Sequence, residues 1–96
     1  MTSEFLVTTT SRFDRELKKP AGKHPDLPEL FRRVIDILKA DPYSRSRQHP
    51  IKKVEGVHTG EGQYRIRSGR FRFRYDVDSQ TVILKACSLR REDTYR

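Results

Sequence analysis

One stretch limits the folds open to this chain more than any other. From Gln63 to Tyr75, polar and apolar residues alternate almost without a break. A period of two marks a half-buried β-strand, because successive side chains leave a strand on opposite faces. Tyr64 and Ile66 take one face, Arg65 and Arg67 the other. Ser68-Gly69 is a turn signal. The alternation resumes over Arg70 to Tyr75, with Phe71, Phe73 and Tyr75 apolar and Arg70, Arg72 and Arg74 polar. The pattern predicts an antiparallel hairpin with an aromatic face toward a core and an arginine face toward solvent.

The remaining elements arrange themselves around that hairpin. Residues 4–9 are rich in β-branched and aromatic types and read as a strand. Ser11 with Asp14 resembles a helix N-cap pair, and Phe13 and Leu17 stack at i, i+4 in a short helix that Lys18, Lys19 and Pro20 end. After a turn over 21–25, Asp26 is placed to cap a second helix, with Pro28 in its first turn and Glu29 at its third position. Leu27, Leu30, Phe31, Val34, Ile35 and Leu38 recur at helical spacing until Asp41-Pro42 stops the run. A polar, basic loop covers 43–50. Residues 76–80 make a second turn, and 81–87 a last strand. The expected architecture is one α+β domain over residues 1–96, in the order β-α-α-β-β-β. Two N-terminal helices should pack on one face of a mainly antiparallel four-stranded sheet, leaving the other face open.

Charge then says what the open face is for. The chain carries 21 Lys and Arg against 13 Asp and Glu, a net charge of +8. Residues 62–75 hold five arginines and no acid. Like charges on one small face repel, and folding gains nothing from that, so a polyanionic ligand is the natural explanation. Each guanidinium can grip a phosphate through two parallel hydrogen bonds. The hairpin by itself leaves RNA, DNA and an acidic protein open as partners. Leu, Ile, Val and Phe number 23 of 96, enough for a modest core in a chain of this length.

Several classes are disfavoured. Cys87 is the single cysteine, so neither a disulfide framework nor a cysteine metal site is expected, and it reads as a buried core thiol. His24, His49 and His58 are too scattered to suggest a metal site, and no cofactor is expected. No apolar run approaches a membrane span and no signal-peptide pattern opens the chain, so a soluble cytoplasmic protein is expected, without a membrane partner.

Over nearly its whole length the sequence resembles the RelE/ParE toxin superfamily. The resemblance runs through "FLVTTTSRFDRELKK", "ILKADPY", "IKKVEG", "GQYRIRSGRFRFRYDV" and the arginine-rich, tyrosine-containing end "CSLRREDTYR". It implies a microbial RNase-like fold. It also implies metal-independent cleavage of messenger RNA, usually on the ribosome, by attack of the ribose 2′-OH on the adjacent phosphate. It implies an acidic cognate antitoxin that covers the basic face and joins the toxin on operator DNA. A ParE-like toxin that poisons gyrase without RNA chemistry shares the fold, as would an inactive nucleic-acid-binding relative, and fold alone does not choose.

Carried over residue by residue, Arg65 and Arg67 stand where RelE-like members place two catalytic lysines. Arg72 matches the arginine that holds the scissile phosphate. Arg90 falls where the family has a C-terminal arginine or histidine, and Tyr95 resembles the tyrosine that stacks on a base or moves a proton. Lys52, Lys53, Arg70, Arg74 and Arg91 complete the expected RNA-contacting set. Such cleavage needs a base, an acid and charge stabilisation. Arginine serves the last role and serves poorly as a base, since its pKa stays above about 12. His49, in "HPIK", stands where one branch of the family carries a glutamate, and a free imidazole titrates near pH ~6.5, which suits a base. It reads equally well as a loop histidine without a task. Glu92 and Asp93 are further candidates, although surface ion pairs with Arg90 and Arg91 explain them as well.

Overall fold

The computed structural model of the chain describes residues 4–58 and 60–89. Its elements in chain order are β1 (Leu6–Thr9), α1 (Ser11–Ala21), α2 (Leu27–Ala40), β2 (Ile51–Lys53), β3 (Tyr64–Ser68), β4 (Phe71–Asp78) and β5 (Thr81–Leu89). The strands lie in the order β1-β5-β4-β3-β2. Neighbours are antiparallel except β1 and β5, which run parallel. The α+β class, the two helices and the mainly antiparallel sheet are as expected. The sheet has five strands rather than four. The added one is β2, three residues at an edge beside β3, too short to display a period of two.

α1 starts one residue earlier in its capping than the sequence suggests. Thr10 is the cap: its Oγ1 accepts from the Phe13 N–H (3.1 Å), and its carbonyl from the Asp14 N–H (3.0 Å). Ser11 is the first helical residue, and the helix runs two residues past Lys19. Asp26 occupies the N-cap position of α2, but its side chain makes no capping hydrogen bond; Pro28 and Glu29 sit in the first turn as expected. The helix closes where the Asp41 N–H donates to the Ile37 carbonyl at 2.7 Å.

The apolar stripe of α2 and the aromatic face of the hairpin meet in one core. Leu27, Val34, Leu38, Ile66, Phe71, Phe73 and Tyr75 are all buried there with Phe13 of α1. The rings of Phe13, Phe31 and Phe73 form a triangle with centroids 5.5, 5.8 and 6.2 Å apart. Each such ring contributes about 1.5–3 kcal/mol through burial, and the pairings add a further ~0.5–1.5 kcal/mol. Tyr64, Phe71, Phe73 and Tyr75 are therefore core residues, with Tyr64 stacked on Tyr75 at 5.7 Å.

Two irregularities set which side chains reach the open face. The hairpin pairs Ser68 with Phe71, so Gly69-Arg70 is a two-residue loop. Gly69 adopts φ +60 at its first position, as a type II′ turn requires, and Arg70 belongs to the turn rather than to the strand. Between β4 and β5 the register passes from Arg74↔Ala86 to Tyr75↔Leu84, leaving Lys85 as a bulge. The buried positions of β5 consequently shift from even (Val82, Leu84) to odd (Cys87).

Candidate functional site

The arginine face is built by cross-strand register. Arg65 on β3 lies opposite Arg74 on β4, Arg67 opposite Arg72, and Lys52 on β2 opposite Arg65. Directly opposed residues have Cβ atoms about 4.5–5.5 Å apart. Four of these side chains therefore converge at one end of the sheet. Lys52, Arg65, Arg67 and Arg72 line a cleft of about 160 Å³ together with His49, Pro50 and Ile51. That volume is about five water molecules' worth, room for a phosphodiester group. None of the lining residues is acidic.

Not every expected contact falls in this cleft. Lys53 pairs with Tyr64 and so stands on the opposite face from Lys52, exposed to solvent. Arg70 is exposed at the hairpin turn. Arg74 turns inward to the fold, its Nε and Nη2 donating to the Gly62 carbonyl at 3.2 and 3.1 Å. Arg90, Arg91, Glu92, Asp93 and Tyr95 lie outside the described residues. His24 packs edge-on against Phe71 at 5.3 Å, and His58 is exposed in its loop. Among the described residues, no group of three or more His, Cys, Asp or Glu is placed to hold a metal ion.

His49 is brought to the cleft by a loop with a well-defined frame. The loop starts from Pro42, which is buried and whose carbonyl accepts the Tyr75 hydroxyl at 2.6 Å. Burial, and after it the neighbouring Tyr64, Asp41 and Tyr43, raises the ionisation of that phenol far above the ordinary tyrosine range, so the hydroxyl stays a donor. Ser44 then brackets His49: its hydroxyl donates to the His49 carbonyl and accepts from the His49 N–H, both at 3.3 Å. The His49 carbonyl also accepts from the Ile51 N–H at 2.8 Å, which joins the loop to β2.

The frame is held from within by Asp41, which the sequence reading treated only as a helix stop. Its Oδ1 accepts from the Arg45 N–H at 2.8 Å. Its Oδ2 accepts from the Ser46 hydroxyl at 2.7 Å and the Ser46 N–H at 3.2 Å. His49 Nε2 stands 3.9 Å from the same Oδ2. The Ser46 hydroxyl, then the two backbone N–H groups and His49, keep this carboxylate below the usual range against the opposing effect of burial. Ser44 and Arg47 adopt left-handed φ of 49 and 61, a conformation that costs about 1–2 kcal/mol outside glycine. An acid followed within five residues by serine is the signal that could have revealed this side-chain-closed turn.

A second acid was also missed. Asp76 continues the phase of Arg72 and Arg74 along β4, yet it is 8% exposed. The segment before β3 folds over it: Asp76 accepts the N–H groups of Gly62 and Gln63, each at 2.9 Å. With Arg74 on the Gly62 carbonyl, both backbone groups of Gly62 are gripped by β4 side chains. The sequence signal was an acid at an arginine-phase position.

Three solved structures share this architecture. The first, from the archaeal RelE–RelB complex of Pyrococcus horikoshii, has a TM-score of 0.67 and 24% identity, over 96% of this chain and 99% of the matched one. The second, from the RelB–RelE antitoxin–toxin complex of Methanococcus jannaschii, has a TM-score of 0.59 and 23% identity, over 93% and 99%. The fold is RelE-like. A third match, from the RelBE2 toxin–antitoxin complex of Mycobacterium tuberculosis, has a TM-score of 0.57 and 22% identity, over 94% and 95%. No protein-family model matches the sequence, and no curated protein does. Among the described residues of this RelE-like chain, no helix is long and apolar enough to cross a membrane.

Proposed function

We propose that the chain is the toxin of a toxin–antitoxin pair and a metal-independent endoribonuclease that cleaves messenger RNA on the ribosome. The observation that supports this reading is the cleft itself: four cations, no acid, and one imidazole at its rim. The cations suit a phosphodiester and the extra negative charge of its phosphorane. In the proposed reaction His49 takes the 2′-OH proton, the 2′-oxygen bonds to the adjacent phosphorus, and the P–O5′ bond breaks. The leaving 5′-oxygen takes a proton from an acid or from water. The products are a 2′,3′-cyclic phosphate and a 5′-hydroxyl.

The RelE-like fold, found in complexes with RelB, supports the toxin role and a cognate antitoxin; an acidic antitoxin would mask the cations of the cleft. The test is to induce the chain in cells, map messenger RNA ends and assay DNA breaks in parallel. New RNA ends that disappear in Arg72→Ala and drop at least about 100-fold in His49→Ala are expected, since general base catalysis contributes ~10²–10⁴-fold. Intact RNA with gyrase-dependent DNA breaks would overturn the nuclease reading in favour of a ParE-like poison. An adjacent reading frame whose product fails to co-purify would count against the antitoxin.

A further inference from the structure

We infer that Asp41 is a positioning residue for His49, the two forming a preorganised carboxylate–imidazole pair at the rim of the basic cleft. This rests on the nuclease reading given above. Asp41 itself does not line the cleft; it acts on substrate only through the histidine.

The geometry carries the inference. Nε2 of His49 lies 3.9 Å from Oδ2 of Asp41, with side chains 25% and 18% exposed. This separation is a Coulomb contact, longer than a hydrogen bond. The carboxylate is held by three donors, so it keeps its place whichever way the imidazole is charged. The histidine backbone is fixed separately by Ser44 and by Ile51. Two left-handed residues, Ser44 and Arg47, are tolerated to bring this about. Strain of that kind is maintained where surrounding bonds over-determine the backbone.

The pair answers a need that the cleft creates. When His49 takes the 2′-OH proton it becomes an imidazolium, and the cleft already presents Lys52 from β2, Arg65 and Arg67 from β3 and Arg72 from β4. Every one of those charges opposes protonation of His49. Asp41, on the loop side, favours it. A carboxylate beside a histidine stabilises the imidazolium without taking the proton itself. The same loop thus lets an arginine-lined site, suited to binding phosphate, also move a proton.

The test compares Asp41→Asn with Ser46→Ala in purified full-length protein, using a short RNA oligonucleotide and pH–rate profiles. Asp41→Asn keeps an oxygen for the Arg45 N–H but removes the charge. Its kcat is expected to fall about 10–100-fold, and the acid limb of its profile to move to lower pH, because the histidine loses the anion that favours its protonated form. Ser46→Ala loosens the same carboxylate but leaves its charge, so its profile should keep its position while its rate falls. If the acid limb of Asp41→Asn stays where the parent's is, the pairing is wrong and Asp41 only builds the loop. Should parent protein and His49→Ala cleave equally, the histidine is not the base and the inference falls with it. A parent that leaves RNA intact overturns the nuclease reading and, through it, this role. Circular dichroism of each variant separates a rate lost through chemistry from one lost through unfolding.

Discussion

Replacing Asp76 by alanine should cost more stability than replacing Arg74 on the same strand, although Asp76 does not line the cleft. The carboxylate accepts two backbone N–H groups at 2.9 Å from a position 8% exposed. Hydrogen bonds to a charged group contribute about 1.5–3 kcal/mol each, and truncating one partner leaves the other group desolvated. Two such bonds set a ceiling of roughly 6 kcal/mol. The Gln63 N–H is part-buried and water can replace its partner, whereas Gly62 is buried. A loss of about 3–4 kcal/mol is therefore expected. Against the ~5–15 kcal/mol of a typical domain, the protein should still fold at 25 °C. At about 4–8 °C per kcal/mol for a chain of this size, Tm should drop by some 12–30 °C.

Urea unfolding followed by circular dichroism checks this, with an unchanged m-value showing that the same amount of surface is exposed. Asp76→Asn is the control: its amide offers one acceptor and turns a donor toward the second N–H, so about half the loss should remain. Because the segment gripped by Asp76 leads directly into Tyr64 and Arg65, oligonucleotide binding should weaken as well. A loss below about 1 kcal/mol in Asp76→Ala would refute the two-bond reasoning, as would an asparagine variant no weaker than the parent.

Other variants separate structure from binding on the same face. Arg74→Ala should cost about 1–3 kcal/mol in urea unfolding, since both its hydrogen bonds go to the Gly62 carbonyl. Arg67→Ala, at an exposed cleft residue, should stay within about 0.5 kcal/mol of the parent. It should instead reduce the salt slope of single-stranded RNA binding by about 0.7, measured by fluorescence anisotropy. Tyr75→Phe removes the 2.6 Å bond to Pro42 and should cost about 1–2 kcal/mol, with faster hydrogen exchange across 43–50. Burial, and then Glu16, pushes the Cys87 thiol up from 9.0 to about 11. The unfolded chain loses that proton first, so stability should be intact below pH 9 and fall by about 2–3 kcal/mol as pH rises through 11. Cys87→Ala should flatten that part of the curve.

The fold was legible where local pattern and tertiary packing agree. The hairpin and α2 announce themselves because the same alternation or helical stripe that defines each element also defines its buried face. The places where reading fell short are those where a single non-local contact decides. β2 is three residues long and exists because β3 offers it an edge. The cap of α1 is Thr10 rather than Ser11, a difference of one residue between equally good capping types, and Thr10 is also tied to β5 through Leu84. The bulge at Lys85 leaves no trace in a strand whose residues are apolar on both sides of it.

The site divides along the same line. Arg65, Arg67 and Arg72 could be placed on one face from sequence by period two, while their cross-strand register is set by the Gly69-Arg70 turn that the structure shows. Arg74 shares that period and yet serves the fold, since what it meets is a carbonyl twelve residues away. His49 carried no periodic signal at all. Its position follows from Asp41 eight residues earlier and from Tyr75 reaching Pro42 across 33 residues of chain. The loop is thus anchored to the core by a phenol and closed on itself by a carboxylate, and neither residue type advertises that task. This explains why the cleft cations were visible as a periodic pattern, why His49 was reached only through the family resemblance, and why Asp41 was not seen as its neighbour. Binding polyanions needs only repeated charge on a regular surface, whereas moving a proton needs two unlike groups held at one distance, which an irregular loop with its own internal hydrogen bonds provides.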